Sequence, residues 1–190
     1  MMSTVRLFVA IEIPQDIRAA YAALLKELRG VAPLAKWVRA ENLHVTLKFL
    51  GEIQPAKLSA LQNALETVRS EQRVTLEFRG LGFFPNERRP RVFWAGMEPS
   101  ANLKSLAVDI DHTAHRLGFP LEDRPYTPHL TLARFEASGI APKLREAIHA
   151  RVTHPFGSLT TSEFHLIESK LKPTGAEYTT VQTVRFAPEG

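Results

Sequence analysis

The sequence predicts an α+β fold in which two pseudo-symmetric lobes of antiparallel sheet, covered by helices, enclose a central cleft. The main observation is a repeated motif, because H-x-T-L occurs at residues 44–47 and again at 129–132. Each copy lies in a segment of alternating apolar and polar residues, which is typical of a half-buried strand. Short connections between strands favour antiparallel pairing. We therefore expect residues 1–190 to form a single bilobal domain with one motif strand on each side of the cleft.

Composition and apolar spacing predict the elements of the first half. Residues 5–13 combine β-branched and aromatic side chains and stop at a proline, which predicts a buried strand. Apolar residues at helical spacing then predict a helix that ends at Gly30. Strands are expected at 36–39 and at 43–50, the second of which carries the first motif. Another amphipathic pattern predicts a helix over residues 55–70.

The second half also consists of strands and helices around one motif. Strands are expected at residues 74–84, 91–97, 129–135, 164–171 and 179–186. Apolar spacing predicts helices over 103–118 and 142–150. A basic, proline-rich turn at 85–90 joins the first two strands of this half. No linker rich in Gly and Ser divides the halves, so we expect the two lobes to pack tightly.

Alternation within the motif strands predicts which side chains share a face, because successive strand residues point to opposite sides of a sheet. His44, Thr46 and Lys48 are predicted to share one face. The opposite, buried face is predicted to hold Leu43, Val45, Leu47 and Phe49. By the same rule His129 and Thr131 lie together on the other strand. Each motif should therefore present one imidazole and one hydroxyl to the cleft.

Two imidazoles and two hydroxyls suit the hydrolysis of a strained phosphodiester. A histidine pKa of about 6.5 lets one ring act as a base while the other, protonated, acts as an acid. The base draws a proton from water and the acid protonates the departing ribose oxygen. Threonine hydroxyls can donate hydrogen bonds to the non-bridging phosphate oxygens. This scheme needs neither a metal nor a cofactor, and the sequence contains no cysteine that could supply a thiolate ligand.

Composition limits the partners and the environment. The 24 Lys and Arg against 20 Asp and Glu give a net charge of +4, a mild bias toward anionic partners. No segment approaches the roughly 20 apolar residues that span a bilayer, and the N-terminus does not resemble a signal peptide. We therefore expect a cytoplasmic protein without membrane contact, and a monomer by default. The P-loop pattern is absent, which agrees with chemistry that is independent of ATP.

Several stretches follow a known family pattern: residues 8–14, 37–38, 41–51, 81–85, 89–94, 128–134 and 168–171. On these residues the chain resembles the two-histidine (2H) phosphoesterase superfamily. Within it, the chain is similar to the bacterial and archaeal RNA 2′,3′-cyclic phosphodiesterases once named 2′-5′ RNA ligases. The resemblance implies a bilobal fold with each motif on a central strand. It also implies hydrolysis of RNA 2′,3′-cyclic phosphate ends, such as those of tRNA fragments, to 2′-phosphomonoesters, with reverse 2′-5′ ligation as a second activity in RNA processing.

The resemblance also implies roles for the motif residues. His44 would be the proton donor to the leaving 3′ oxygen and His129 the proton acceptor that activates water, while Thr46 and Thr131 would hold the phosphate. The symmetry of the motifs makes the two histidine roles exchangeable on sequence alone. Two other readings stay open: a module that binds RNA ends without turnover, and a phosphodiesterase that acts on small cyclic phosphates or 2′-5′ oligonucleotides.

Further residues are candidates for substrate contact. Arg134 could pair with phosphate, but alternation places it on the buried face, so contact would require a β-bulge or the end of the strand. Tyr126, in a loop beside His129, could stack on a base, as could Trp37. A basic cluster in the turn could steer an RNA backbone toward the cleft or simply be solvated. This cluster consists of Arg88, Arg89 and Arg91.

Overall fold

Across residues 4–136 and 140–188, which the computed structural model describes, nine strands form two antiparallel sheets. The strands are β1 (Val5–Glu12), β2 (Lys36–Trp37), β3 (His44–Ile53), β4 (Val74–Phe84), β5 (Val92–Pro99), β6 (Leu130–Arg134), β7 (Pro155–Thr161), β8 (Glu163–Lys172) and β9 (Gly175–Arg185). One sheet has the order β3-β1-β8-β9 and the other β2-β6-β5-β4-β7. The two motif strands, β3 and β6, therefore belong to different sheets. The predicted α+β fold is confirmed.

Helices cover and connect the sheets. They are α1 (Gln15–Val31), α2 (Leu58–Leu65), α3 (Asn102–His115) and α4 (Pro142–His149), with short 3-10 helices at Ala40–Asn42 and Pro55–Lys57. α1 packs on β7, where Tyr21 stacks on Phe156 with 4.5 Å between ring centroids. α3 contacts both β3 and β4, so it bridges the two sheets. No helix in the described ranges is long and apolar enough to cross a membrane.

Buried apolar side chains from both sheets form one continuous cluster. Val45 and Leu130 directly follow the histidine of each motif, and both are completely buried. Phe93 of β5 and Phe164 of β8 extend the same cluster from the centre of each sheet. The apolar half of each motif strand therefore faces a shared interior. This burial determines that the polar half of each strand faces the cleft.

β3 contains an extra residue within its motif, at Leu47. Ala10 of β1 lies opposite Thr46, and its neighbour Val9 lies opposite Lys48, so Leu47 has no partner in the register. An extra residue in one strand that has no partner in the other strand defines a β-bulge. Lys48 and Phe49 after the bulge are therefore shifted by one position, and the alternation predicted from the sequence reverses there. A second irregularity follows at Leu50, because Phe8 lies opposite Phe49 and Leu7 opposite Gly51.

β6 contains an extra residue at the equivalent position. Trp94 of β5 lies opposite Thr131, and its neighbour Phe93 lies opposite Ala133, so Leu132 is the unpaired residue. In both copies the bulge thus falls on the leucine of H-x-T-L. The two motif strands share this irregularity as well as their sequence, which supports the pseudo-symmetry that the repeat predicts.

The bulges correct two predictions of side-chain direction. Lys48 was expected beside His44 on the cleft face, but it points into the interior and is 3% exposed. Phe49 was expected in the core, but it lies on the cleft face and is 48% exposed. The bulge in β6 likewise brings Arg134 to the cleft face, which is the condition that the sequence analysis set for phosphate contact.

One strand, β7, was not expected from the sequence, and one predicted helix is shorter than expected. β7 forms an edge of the five-stranded sheet and pairs with β4. It begins at Pro155, and Gly157 has a φ of 124°; proline and glycine both weaken a strand signal, although an edge position tolerates them. The predicted helix over 55–70 consists of a 3-10 turn followed by α2, which ends at Leu65.

Close packing of Trp94 on Gly82 gives a stability prediction. A Cβ atom on Gly82 would lie 2.3 Å from the Trp94 ring, so Gly82→Ala should lower the free energy of unfolding by about 1–3 kcal/mol through overpacking. Gly30→Ala is the matched control, because no atom lies within 4 Å of that Cβ and alanine favours helix by about 0.5–1 kcal/mol. Chemical denaturation measures both changes. Equal stability of Gly82→Ala and the wild type would contradict the packing described.

Candidate active site

A cleft with a cavity volume of about 230 Å³ lies between β3 and β6. His44 and Thr46 line it from β3, Thr131 lines it from β6, and His129 lines it from the residue just before β6. The other lining residues are Arg6, Phe8, Val38, Asn42, Phe49, Arg134, Ser169, Leu171, Ala176 and Tyr178. The structure therefore brings together the four motif side chains that the sequence analysis selected. The two motifs lie 85 positions apart in the chain, and their side chains meet because β3 and β6 belong to opposing sheets.

The two imidazole rings are held in the same way. Nδ1 of His44 lies 2.7 Å from the carbonyl oxygen of Asn42, and Nδ1 of His129 lies 2.8 Å from that of Thr127. A carbonyl oxygen only accepts, so each Nδ1 carries the proton and donates it to the residue two positions earlier. This leaves Nε2 of each ring as the nitrogen that can accept or release a proton. The arrangement is local to each motif, which is why it recurs in both.

Aromatic rings enclose His44. Phe8 stacks on its imidazole with 4.5 Å between centroids, and the edge of Tyr178 contacts it at 5.2 Å. Burial lowers the pKa of His44 below its ordinary value of 6.5, while the bond to Asn42 and the negative charge of Glu12 oppose this shift. Glu12 lies directly opposite His44 in the β1–β3 pairing. The neutral ring is therefore favoured at pH 7 when the cleft holds no anion.

His129 lies in a different environment. The edge of Phe84 contacts its ring at 5.2 Å, and Phe84 in turn packs on Trp94 at the same centroid separation. Phe84 ends β4 and leads into the basic turn. In that turn the backbone N–H groups of Arg88 and Arg89 donate to the Asn86 side chain. The turn thus begins beside the cleft, although a role of its arginines in steering RNA stays a prediction.

Cationic groups line the cleft on both sides. Arg134 reaches it from β6 because of the bulge at Leu132. Arg6 reaches it from β1, where its guanidinium lies 5.1 Å from the centre of the Phe49 ring. A guanidinium fork matches the oxygens of a phosphate group. The cleft can therefore hold an anion between arginine and threonine donors, while phosphate contact by Arg134 itself stays a prediction.

The structure does not bring the two aromatic base-stacking candidates into the cleft. The hydroxyl of Tyr126 donates to the carbonyl oxygen of Thr46 at 3.0 Å, and its ring packs against the core. Burial raises the pKa of this phenol. Trp37 donates through Nε1 to the carbonyl oxygen of Ala32 and contacts Phe93 edge-on. Neither ring lines the cleft: Tyr126 binds the backbone of β3, and Trp37 binds the backbone after α1.

Arg6, Phe49 and Tyr178 are among the lining residues that were not selected from the sequence. Arg6 could have been found, because alternation along β1 places it on the same face as Phe8 and Ala10, which lies opposite Thr46. Phe49 was assigned to the wrong face because the bulge has no signature in the sequence. Tyr178, on β9, has no motif around it and reaches the cleft only through the pairing of β8 with β9.

Potential metal ligands do not gather in this cleft. Among residues 4–136 and 140–188, no group of three or more His, Cys, Asp and Glu side chains is placed to hold a metal ion. Asp111, one of the acidic residues of α3, instead forms an ion pair with Lys48. His115, on the same helix, has its Nδ1 at 2.9 Å from the carbonyl oxygen of Phe119.

The fold and the site together define a class of protein: phosphoesterases that place two H-x-T motifs on opposite walls of one cleft. Within this class, the chain belongs to the family of LigT-like phosphoesterases. The family model described as "LigT like Phosphoesterase" matches residues 11–94 and 96–178, and each of these stretches contains one motif.

Individual relatives agree with this assignment. An Archaeoglobus fulgidus protein named RNA 2′,3′-cyclic phosphodiesterase is 36% identical, over 91% of this chain and 96% of its own length. A Thermus thermophilus protein of the same name is 35% identical, over 93% of this chain and 88% of its own length. The crystal structure of Escherichia coli LigT complexed with 3′-AMP is 30% identical and superposes with a TM-score of 0.78, covering 97% of this chain and 99% of that one.

The environment of His44 gives a prediction for its titration. In the anion-free protein, NMR should show a midpoint below 6.5, because burial disfavours the imidazolium. Added inorganic phosphate should raise that midpoint, because an anion in the cleft stabilises the protonated ring. The imidazole signals of His154, which packs on Phe156 at the edge strand β7, are the internal control and should keep their positions when phosphate is added. A midpoint above 6.5 without phosphate would show that burial does not dominate.

Proposed function

We propose that the protein hydrolyses RNA 2′,3′-cyclic phosphate ends to 2′-phosphomonoesters by metal-independent acid–base catalysis between His44 and His129. The observation that carries this proposal is that both rings have Nδ1 fixed by a backbone carbonyl group and line one cleft with Thr46 and Thr131. Relatives that cover nearly the whole chain are named RNA 2′,3′-cyclic phosphodiesterase, and this supports the substrate class.

The reaction follows from the two exchangeable nitrogens. Nε2 of His129 accepts a proton from water as the water oxygen attacks phosphorus. The bond between phosphorus and the 3′ oxygen breaks on the opposite side, and the imidazolium of His44 gives its proton to that oxygen. The product carries a 2′-phosphate and a free 3′-hydroxyl. Negative charge on the non-bridging oxygens is stabilised by the threonine hydroxyls and by Arg134.

The acid role of His44 requires its protonated form, although burial lowers its pKa in the empty cleft. A cyclic phosphate carries one negative charge, and this charge next to the ring raises the fraction of imidazolium. The carboxylate of Glu12, across the strand pair, acts in the same direction. Binding of the substrate thus favours the protonated form of His44, which the reaction requires as its acid.

Ligation uses the same two groups. A 5′-hydroxyl in the place of water would lose its proton to His129 and attack phosphorus, and the 3′ oxygen would again leave with the proton of His44. The product is a 2′-5′ phosphodiester, and no ATP is consumed. The availability of a second RNA end then decides between hydrolysis and ligation.

The proposal predicts a metal-independent assay result. EDTA-treated protein should convert an oligoribonucleotide with a 2′,3′-cyclic phosphate end to the 2′-phosphomonoester. Because acid–base catalysis contributes about 10²–10⁴-fold, His44→Ala and His129→Ala should each lower kcat by that factor. His154→Ala, whose ring packs on Phe156 at the edge strand β7, is the control with unchanged kcat. Chromatography of the products against 2′- and 3′-phosphate standards identifies the bond that breaks.

Other outcomes of this assay select other functions. Tight binding without turnover would indicate an RNA-end-binding module. Turnover of nucleoside 2′,3′-cyclic phosphates but not of oligoribonucleotides would indicate a small-molecule phosphodiesterase. Full activity of a variant that lacks both histidines would show that the site is elsewhere.

A substrate with sulfur in place of the 3′ oxygen should separate the two histidine roles. The pKa of a thiol, about 8.5, is far below that of an alcohol, so the sulfur can leave without a proton. His44→Ala should therefore lose much less kcat on the sulfur substrate than on the oxygen substrate. His129→Ala should lose the same factor on both, because water activation is unaffected by the leaving group. The opposite pattern would assign the acid role to His129.

A further inference from the structure

Lys48 is buried in the interior although it belongs to a motif strand. The bulge at Leu47 turns it away from the cleft, and it is 3% exposed. Its Nζ atom donates to the carbonyl oxygen of Pro120 at 2.7 Å. It also lies 2.6 Å from a carboxylate oxygen of Asp111 and 3.4 Å from one of Glu122. A buried cation requires such partners, since burial of an unpaired charge is costly.

The partners of Lys48 lie on α3 and on the segment that leads to His129. Asp111 belongs to α3, and its second carboxylate oxygen accepts the backbone N–H of Glu122 at 3.1 Å. Desolvation opposes ionisation of Asp111, but the hydrogen bonds from Lys48 and Glu122 outweigh it and lower the pKa of Asp111. Asp111 is therefore charged at pH 7. Asp111 thus binds both Lys48 and the backbone of Glu122, which lies in the segment that Lys48 contacts at Pro120.

A second contact ties the same segment to β3. The hydroxyl of Tyr126 donates to the carbonyl oxygen of Thr46, two positions before Lys48. Residues 120–128 contain no helix or strand, so these contacts replace a regular hydrogen-bond ladder. The segment ends at His129, whose Nδ1 is bonded to Thr127 within it. The strand that carries His44 thus holds the segment that presents His129.

We propose that Lys48 is a positioning residue, which sets the location of His129 relative to His44 by holding residues 120–128 against β3. This inference rests on the proposed function, because the distance between two imidazoles matters when both exchange protons with one substrate. It adds a role for a residue that touches neither substrate nor catalytic group. A displacement of about 1 Å can lower a rate by about 10²-fold.

The proposal predicts a specific kinetic signature for Lys48→Met. The kcat for cyclic-phosphate RNA should fall by about 10²-fold because His129 is displaced. The Kd for an oligoribonucleotide with a 2′-phosphate end should stay within about two-fold, because the threonines and Arg134 remain on their strands. Lys104→Met, an exposed lysine on α3, is the matched control for loss of one positive charge and should leave both values unchanged.

A second variant separates loss of positioning from loss of folding. Lys48→Met leaves Asp111 charged without its partner, whereas Lys48→Met with Asp111→Asn removes both charges and keeps an oxygen that accepts the Glu122 N–H. The double variant should fold and show the same loss of kcat with unchanged Kd. If kcat in the folded double variant equals that of the wild type, Lys48 does not position His129.

NMR of the histidine rings tests positioning without turnover. In the folded variants the imidazole signals of His129 should shift or broaden, while those of His154, at the edge strand β7, stay in place. Unchanged His129 signals would overturn the proposal even if activity fell. If the wild type hydrolyses no cyclic phosphate, the proposed function fails, and the His129 signals alone then decide whether Lys48 holds the segment.

Discussion

The bulge at the leucine of each H-x-T-L motif is the constraint on which the cleft depends. A regular strand would place His44, Thr46 and Lys48 on one face, whereas the bulge ends that alternation after two residues. The first part of each strand therefore delivers an imidazole and a hydroxyl. The part after the bulge delivers Phe49 in one wall and Arg134 in the other. Both walls obtain three cleft-facing side chains within six residues while their apolar side chains stay in one shared core.

Equivalent hydrogen bonds do not make the two histidines equivalent. Each ring is oriented by a carbonyl group two residues earlier, which requires nothing from the rest of the fold. Their electrostatic environments are set by distant elements: Phe8, Tyr178 and Glu12 surround His44 from β1 and β9. Orientation is thus a property of the motif, and proton affinity is a property of the tertiary structure. A duplicated motif can in this way supply two different chemical roles.

Sequence reasoning succeeded where periodicity and local chemistry determine the structure. The motif strands, the helices α1, α3 and α4, and the meeting of His44 with His129 follow from apolar spacing and a repeat. It failed where one residue changes the register, because Leu47 and Leu132 are ordinary strand residues and nothing in their identity indicates a bulge. It also failed for Tyr126, whose place beside a histidine motif suggested substrate contact, whereas its hydroxyl binds the backbone of β3. Contacts of this kind, between segments far apart in the chain, produce no periodic pattern in the sequence.

The bulges also matter for redesign of the enzyme, because the positions that face the cleft follow one alternation before the bulge and the opposite alternation after it. Before the bulge, residues 44 and 46 of one strand and residues 129 and 131 of the other face the cleft. After the bulge, Phe49 and Arg134 face it. A library that follows simple alternation would randomise Lys48 or Ala133 and so alter the interior. Diversity intended to change which molecules the cleft accepts belongs one residue further along each strand, where a new side chain meets the ligand and leaves the packing of the core untouched.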